Sequence, residues 1–234
     1  MRNGLATGLA APPAPGAGHA ATIGAASPVV AVVAHPARRG MADRLATRVR
    51  ADHVEVDPGG RGGTRNHLHT WGWCLGAAQR NAWIVVLEDD ALPVNNFREE
   101  LEAALAVAPT PVVGLYLGTG SPAHLQSRFA SAIVRATDDV SWFLADRLHH
   151  AVGVAIRGHL VADMLGCIDA RRPIDEAISA WCVRRDHKVG YTWPSLVDHL
   201  DGEPVIAGRR RAPRRRRAWR VGVRRTWTGT AVAL

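Results

Sequence analysis

A chain of 234 residues, 47% of them hydrophobic, suits one α/β domain with tails and a substantial core. Its formal net charge of +8 suggests nucleic acid at first, but ten arginines lie between Arg209 and Arg225 and no acid follows Glu203. Without those ten, 19 basic residues face 21 acids, and a body of net −2 argues against nucleic acid as partner. Cys74, Cys167 and Cys182 form no CxxC pair, and their odd number argues against a disulfide framework. A cytoplasmic setting follows, and no apolar run reaches the length of a membrane span.

Residues 1–27 are rich in Ala, Gly and Pro, and Pro12, Pro13 and Pro15 interrupt any signal-peptide core, so a disordered leader is expected. Pro28 to Ala34 reads as a buried strand closing at His35-Pro36. Arg38 to Arg50 has helical spacing, with Met41, Leu45 and Val49 on one face. His53 to Asp57 alternates like a strand and runs into the flexible glycine loop 58–63. Thr64 is placed to cap a helix to about Arg80, with Leu68, Trp71, Leu75 and Ala78 as its apolar side.

The next strand, Ile84 to Leu87, runs straight into Glu88-Asp89-Asp90. Three acids at the end of a buried strand are costly unless neutralised, and a hard divalent cation is the natural partner. The alternative is a chain simply leaving the core for solvent. Asn95 or Asn96 then caps a helix through Ala106, and Val112 to Leu117 is a strand. From Gly118 to Asp139 the pattern weakens to loop with short elements. His150 to Ile156 reads as a strand, His159 to Ile168 and Pro173 to Arg185 as helices, and Val189 to Thr192 as extended chain. Such alternation predicts an α/β sandwich with a mostly parallel central sheet.

Further residues carry candidate chemistry. The glycine loop lacks a Walker lysine and GxGxxG spacing, so a plain linker stands beside a phosphate cradle. Asp57 can accept hydrogen bonds from a nucleotide or serve its own turn. Asp175 and Glu176 fit either a favourable helix N-terminus or a general base. His199 follows an apolar segment, where imidazole can complete a metal shell. His67 and His69 fall on different helix faces and do not ligate one ion together. The arginine segment fits nucleic acid, anionic lipid through peripheral membrane contact, a phosphate-rich donor or a solvated extension, and a mixed case is expected, with the part nearest His199 folded onto the body.

Asn66-His67-Leu68-His69-Thr70-Trp71, then Leu87-Glu88-Asp89-Asp90-Ala91, then Asp175-Glu176 and Pro194-Ser195-Leu196-Val197-Asp198-His199 occur in that order. Together they resemble the lipopolysaccharide-type and collagen-type galactosyltransferases and their bacterial and phage relatives. Asn66 stands where that family has serine. The resemblance covers Pro28 to Gly202 and implies a single GT-A (Rossmann-like) domain over 28–207, followed by a basic tail over 208–234. It implies transfer of a sugar from a nucleoside-diphosphate donor, UDP being the commonest, to a polysaccharide or protein acceptor.

In that reading Glu88, Asp90 and His199 hold Mn²⁺ or Mg²⁺ against the diphosphate, and Asp89 orients ribose or sugar hydroxyls. Asp57 and Arg65 join Asp89 on the donor. Asp175 is the general base, with Glu176 close behind. A base serves an inverting transfer; a retaining one would not use it in the same way. Two other classes stand beside this one. A nucleotidyltransferase also uses carboxylate-held metals, but no glycine-rich triphosphate signature lies near the first strand. A non-catalytic module would bind nucleic acid through the basic tail.

Overall fold

Successive residues of the central strands enter two different cores. A computed structural model describes residues 26–202, 205 and 216–234. In it β1 (Val29–Ala34) lies between β2 (His53–Val56) and β3 (Trp83–Glu88), parallel to both. Val30, Val32, Val85 and Leu87 face α1 (Arg39–Val49) and α3 (Phe97–Ala106), meeting Leu45, Phe97 and Leu101. Ala31, Val33, Ile84 and Val86 face the opposite way. They share a core with Trp71 of α2 (Gly63–Ala77), Phe129 of α4 (Gln126–Arg135), Met164 of α5 (Gly158–Cys167) and Trp181 of α6 (Ile174–Arg184). A β-branched strand buried on both faces requires helices on both faces, and the result is an α/β/α sandwich.

The remaining strands are β4 (Ala91–Pro93), β5 (Val112–Gly114), β6 (Trp142–Ala145), β7 (Gly153–Arg157), β8 (Val189–Thr192), β9 (Val197–His199) and β10 (Ala231–Ala233). The main sheet has eight strands in the order β10-β6-β8-β5-β7-β3-β1-β2, and β4 pairs with β9 in a separate ribbon. The main sheet is mixed, which corrects the expectation of a mostly parallel one. β7 runs antiparallel to both β3 and β5, and β6 antiparallel to β8. Strand–helix alternation counts elements but does not give their direction, and β6 falls at the edge of a stretch whose pattern looked like loop.

Helix α4 lies in that same stretch. It is a ten-residue helix with Phe129 and Ala132 buried and Ile133 packed partly buried against the same core. Helix α2 departs from its expected register. Its buried residues are Asn66, His67, Thr70, Trp71 and Cys74, so a largely polar stripe faces inward. Thr64 is not its cap: Gly62 holds that position, and the Thr64 hydroxyl donates to the Arg172 carbonyl at 2.7 Å.

Gly114 shows how tightly the sheet is filled beside the candidate site. A Cβ there would lie 2.6 Å from the Tyr191 ring. That ring is fully buried, and its hydroxyl accepts from the His149 amide at 2.7 Å and donates to the Arg147 carbonyl at 3.1 Å. Absence of a side chain at 114 thus lets Tyr191 fix the backbone leading to His150.

Part of the segment expected as a basic tail packs on the body. Residues 1–25, 203–204 and 206–215 lie outside the described set, and with them most of the leader and the first part of the basic segment. From Arg216 onward the chain returns to the sheet. Ala218 bridges Gly118, β10 pairs in parallel with β6, and Leu234 is buried. Arg224 donates to the Val140 and Trp193 carbonyls at 2.8 and 3.1 Å. Trp227 packs against Trp142 and donates to Glu100 Oε2 at 2.8 Å. Arginine-rich composition concealed these few apolar anchors.

Truncation of a packed tryptophan typically costs about 3–5 kcal/mol. Trp227→Ala is therefore expected to lower unfolding free energy by about 3 kcal/mol or more, read from the midpoint of urea denaturation. A solvated tail would leave that midpoint unmoved. No helix among the described residues is long and apolar enough to cross a membrane.

Candidate active site at the rim of the sheet

In open α/β sheets ligands bind beyond the carboxyl ends of parallel strands. Here the chain leaving β1 carries His35 and Arg38, and the chain leaving β3 carries Glu88, Asp89 and Asp90. Tyr116 follows β5, and the His149-His150 pair precedes the antiparallel β7. The β4–β9 ribbon places Ala91 opposite His199, and the Leu200 amide donates to the Asp90 carbonyl at 2.8 Å. Two segments remote in sequence are thereby fixed side by side: His199 Nε2 lies 3.5 Å from Asp90 Oδ2.

Each acid has a distinct environment. Glu88, at the tip of β3, has the buried His67 of α2 3.3 Å from its Oε1. Asp89 turns toward β1, where its Oδ2 accepts from the His35 amide at 2.8 Å and its Oδ1 from Arg38 Nη1 at 3.0 Å. Asp90 Oδ2 accepts from the same Arg38 nitrogen at 2.6 Å. Burial and the repulsion of Glu88 and Asp89 raise the Asp90 carboxyl above its ordinary range, against the opposing pull of His199 and Arg38.

Asp175 belongs to the same field. It sits at the start of α6, its Oδ1 accepting from the Glu176 amide at 3.0 Å. Burial raises its carboxyl, the Glu176 amide opposes that rise, and the charges of Glu88 and Glu176 add to it. Glu176 itself is exposed. A carboxyl raised by desolvation beside other acids is the form expected of a proton acceptor.

Not every expected site residue joins this cluster. The Asp57 carboxylate is turned onto its own loop, where Gly59 and Arg61 donate to Oδ1 at 2.9 and 3.1 Å and Gly62 to Oδ2 at 2.8 Å. Burial opposes its ionisation, but these amides outweigh that and lower its pKa. Asp57 thus organises the glycine loop, whereas the expectation had it on a nucleotide. Arg65 is exposed near the start of α2. Asp89, expected on sugar hydroxyls, is committed to the end of β1. Asn66 is a tie between elements: it donates to the Ala34 and Glu55 carbonyls at 3.2 and 3.3 Å and accepts from Arg61 at 2.8 Å. His67 and His69 meet different carboxylates, Glu88 and Glu55.

Three residues of the cluster escaped sequence reasoning. Arg38 lies just past a strand end, where its only signal is the run His35-Pro36-Ala37-Arg38. Tyr116 lies between the two imidazoles, its ring centroid 5.0 Å from that of His150 and 6.2 Å from that of His199. Burial, with the nearby charges of Asp198, Asp201 and Asp90, raises its hydroxyl pKa against the pull of Arg216. His150 is pushed down to about 4 by burial and by the neighbouring His149, so it is neutral near pH 7.

No protein-family model and no curated protein matches the chain. Among solved structures it is similar to the crystal structure of A197 from STIV, with a TM-score of 0.45 and 10% identity over 84% of this chain and 97% of that one.

Carboxylate oxygen and imidazole nitrogen are donor types that divalent cations take. Asp90 Oδ1, His199 Nδ1 and His150 Nε2 are buried and lack a hydrogen-bond partner among the described residues. Buried polar atoms are normally satisfied, so each of these three marks a place for a further partner. The three orphaned atoms are one carboxylate oxygen and two imidazole nitrogens. Among the described residues no three such side chains already stand in ligand geometry. In their present positions a guanidinium, that of Arg38, neutralises the acids.

Proposed function

We propose that this protein is a metal-dependent GT-A glycosyltransferase that moves a sugar from a nucleoside diphosphate, UDP foremost, to an acceptor hydroxyl on a polysaccharide or protein. One observation carries the reading. The acid-tipped strand β3 is joined at its rim by His199, with buried unpartnered atoms on Asp90 and His199, and Asp175 lies within reach of the same charges.

Glu88, Asp90 and His199 would hold the ion. When bound, it supplies Lewis-acid neutralisation of the departing diphosphate. Asp175 accepts the proton of the attacking hydroxyl, and its partly desolvated carboxylate is matched to that task. Asp89 does not touch substrate in this account. It anchors the end of β1 and thereby the position of Arg38. Tyr116 and neutral His150 pack beside His199 and help to desolvate it.

A thermal-shift screen of UDP- and GDP-sugars with and without Mn²⁺ tests the proposal. At a hundredfold excess over Kd a ligand adds about 2.7 kcal/mol to native-state stability, several degrees for a domain of this size. One donor is expected to raise the melting temperature only when Mn²⁺ is present. If no donor shifts it and none is hydrolysed by the folded protein, the reading fails.

A further inference from the structure

Exposed apolar side chains are concentrated on one part of the surface. Of the seven large hydrophobic residues exposed among the described residues, Leu92, Leu200, Val221 and Val223 lie on or next to the β4–β9 ribbon or on the segment 216–223 beside it. Arg217, Arg220 and Arg225, all exposed, belong to that segment or its continuation. We propose that this face is a docking surface that seats on the headgroups of an anionic lipid bilayer. Neither a metal nor glycosyl transfer is needed for it.

Strand alternation turns the two faces of the ribbon to different surroundings. Ala91 and His199, directly opposite one another, are buried on its inner face. Leu92 pairs with Asp198, and the Leu200 amide donates to the Asp90 carbonyl at 2.8 Å, so Leu92, Asp198 and Leu200 share the outer face. The Asp198 carboxylate between the two leucines is turned to backbone. Its Oδ1 accepts from the His199 and Ala218 amides at 2.9 and 2.7 Å.

The bond from Ala218 brings the segment after Arg216 to the outer side of the ribbon. Further along, the Ser195 amide donates to the Arg220 carbonyl at 2.9 Å, and the Gly222 amide to the Ser195 carbonyl at 3.2 Å. Burial then alternates: Val221, Val223 and Arg225 are exposed, Gly222 and Arg224 half-buried. Arg224 is the anchor, donating to the Val140 and Trp193 carbonyls, and its chain neighbours are left in solvent. No acid follows Glu203, so this segment presents arginine and valine together without an offsetting carboxylate of its own.

Two effects act on such a surface at once. Guanidinium groups are drawn to anionic headgroups within a Debye length, and aliphatic side chains gain when the acyl boundary removes them from water. A nucleic-acid backbone would use the arginines alone, because leucine and valine have no partner on a phosphate. The combination therefore favours lipid. The ribbon that exposes Leu92 and Leu200 also buries His199, so docking holds the acidic rim close to the bilayer surface.

Flotation of the full chain with vesicles of phosphatidylcholine, alone or in equal parts with phosphatidylglycerol, reads this directly. Wild type is expected to bind the mixed vesicles at least about tenfold more tightly than the neutral ones, and to lose that advantage in high salt. Two variants separate the contributions: Arg217→Glu with Arg220→Glu, and Leu92→Ser with Leu200→Ser and Val223→Ser. All five positions are exposed, so both variants should unfold at the wild-type urea midpoint. Each is expected to bind the mixed vesicles about tenfold more weakly than wild type.

No binding of wild type to mixed vesicles, or undiminished binding by either folded variant, overturns the proposal. Binding to duplex DNA but to neither kind of vesicle assigns the face to nucleic acid and overturns it as well.

Discussion

Asp90→Asn is expected to abolish metal-dependent stabilisation by donor and to lower turnover by about 10³-fold, the scale of losing a main electrostatic element of a transition state. Its effect on the metal-free fold should run the other way. Burial raises the Asp90 carboxyl, with Glu88 and Asp89 adding to that rise against His199 and Arg38. An acid whose folded pKa is raised contributes stability while protonated and loses it as pH climbs through that raised value. Asparagine keeps an acceptor for Arg38 without the charge, so at neutral pH the metal-free variant should melt no lower than wild type. Paired melting curves with and without Mn²⁺ and donor separate a lost ligand site from a lost fold. A large drop in the metal-free melting temperature would mean that Asp90 serves the fold, and the site assignment would fail.

Asp175→Asn addresses proton transfer. General-base catalysis contributes roughly 10²–10⁴-fold, so kcat should fall by about that factor while donor and Mn²⁺ binding persist. The wild-type rate should rise with pH along an acid limb displaced above the ordinary aspartate range, because burial, then Glu88 and Glu176, disfavour the ionised form. That limb should vanish in the variant. Stability carries the opposite sign: the raised carboxyl favours folding below its unfolded pKa, and this contribution is lost as pH rises through the folded value. Glu176→Gln is the control. Glu176 is exposed, and its removal should leave kcat within a few-fold of wild type. Equal losses from both substitutions would point to the helix start as a structural feature.

The central strands were legible because burial on both faces writes an uninterrupted β-branched run, as in Val29–Ala34 and Trp83–Glu88. Helices α1, α3, α5 and α6 were legible from apolar spacing. Direction was not. β7 sits antiparallel between β3 and β5, and nothing in Gly153–Arg157 reports which way its neighbours run. The acid tip and His199 were found because charge at the end of an apolar run is conspicuous. Asp57 misled for the same reason: an acid after a strand looks identical whether it meets a ligand or its own loop amides. Arg38, His150 and Tyr116 were missed because their significance lies in neighbours supplied by other segments. The Trp227 anchor was hidden by the arginines around it.

The β4–β9 ribbon has a consequence for how the protein comes into being. It is only three residues long on each side, yet with the neighbouring Leu200–Asp90 bond it joins the acids after β3 to His199 far along the chain. Pairings of such wide sequence separation carry a large entropic cost of loop closure and form late. A nascent chain that has completed β1 and β3 therefore holds its three carboxylates at the end of β3 with Arg38 nearby, and without the imidazole opposite. On the proposed metal-dependent reading, the ability to take up a metal would arise only when the last third of the chain docks. It would thus report completed folding more faithfully than the sheet itself.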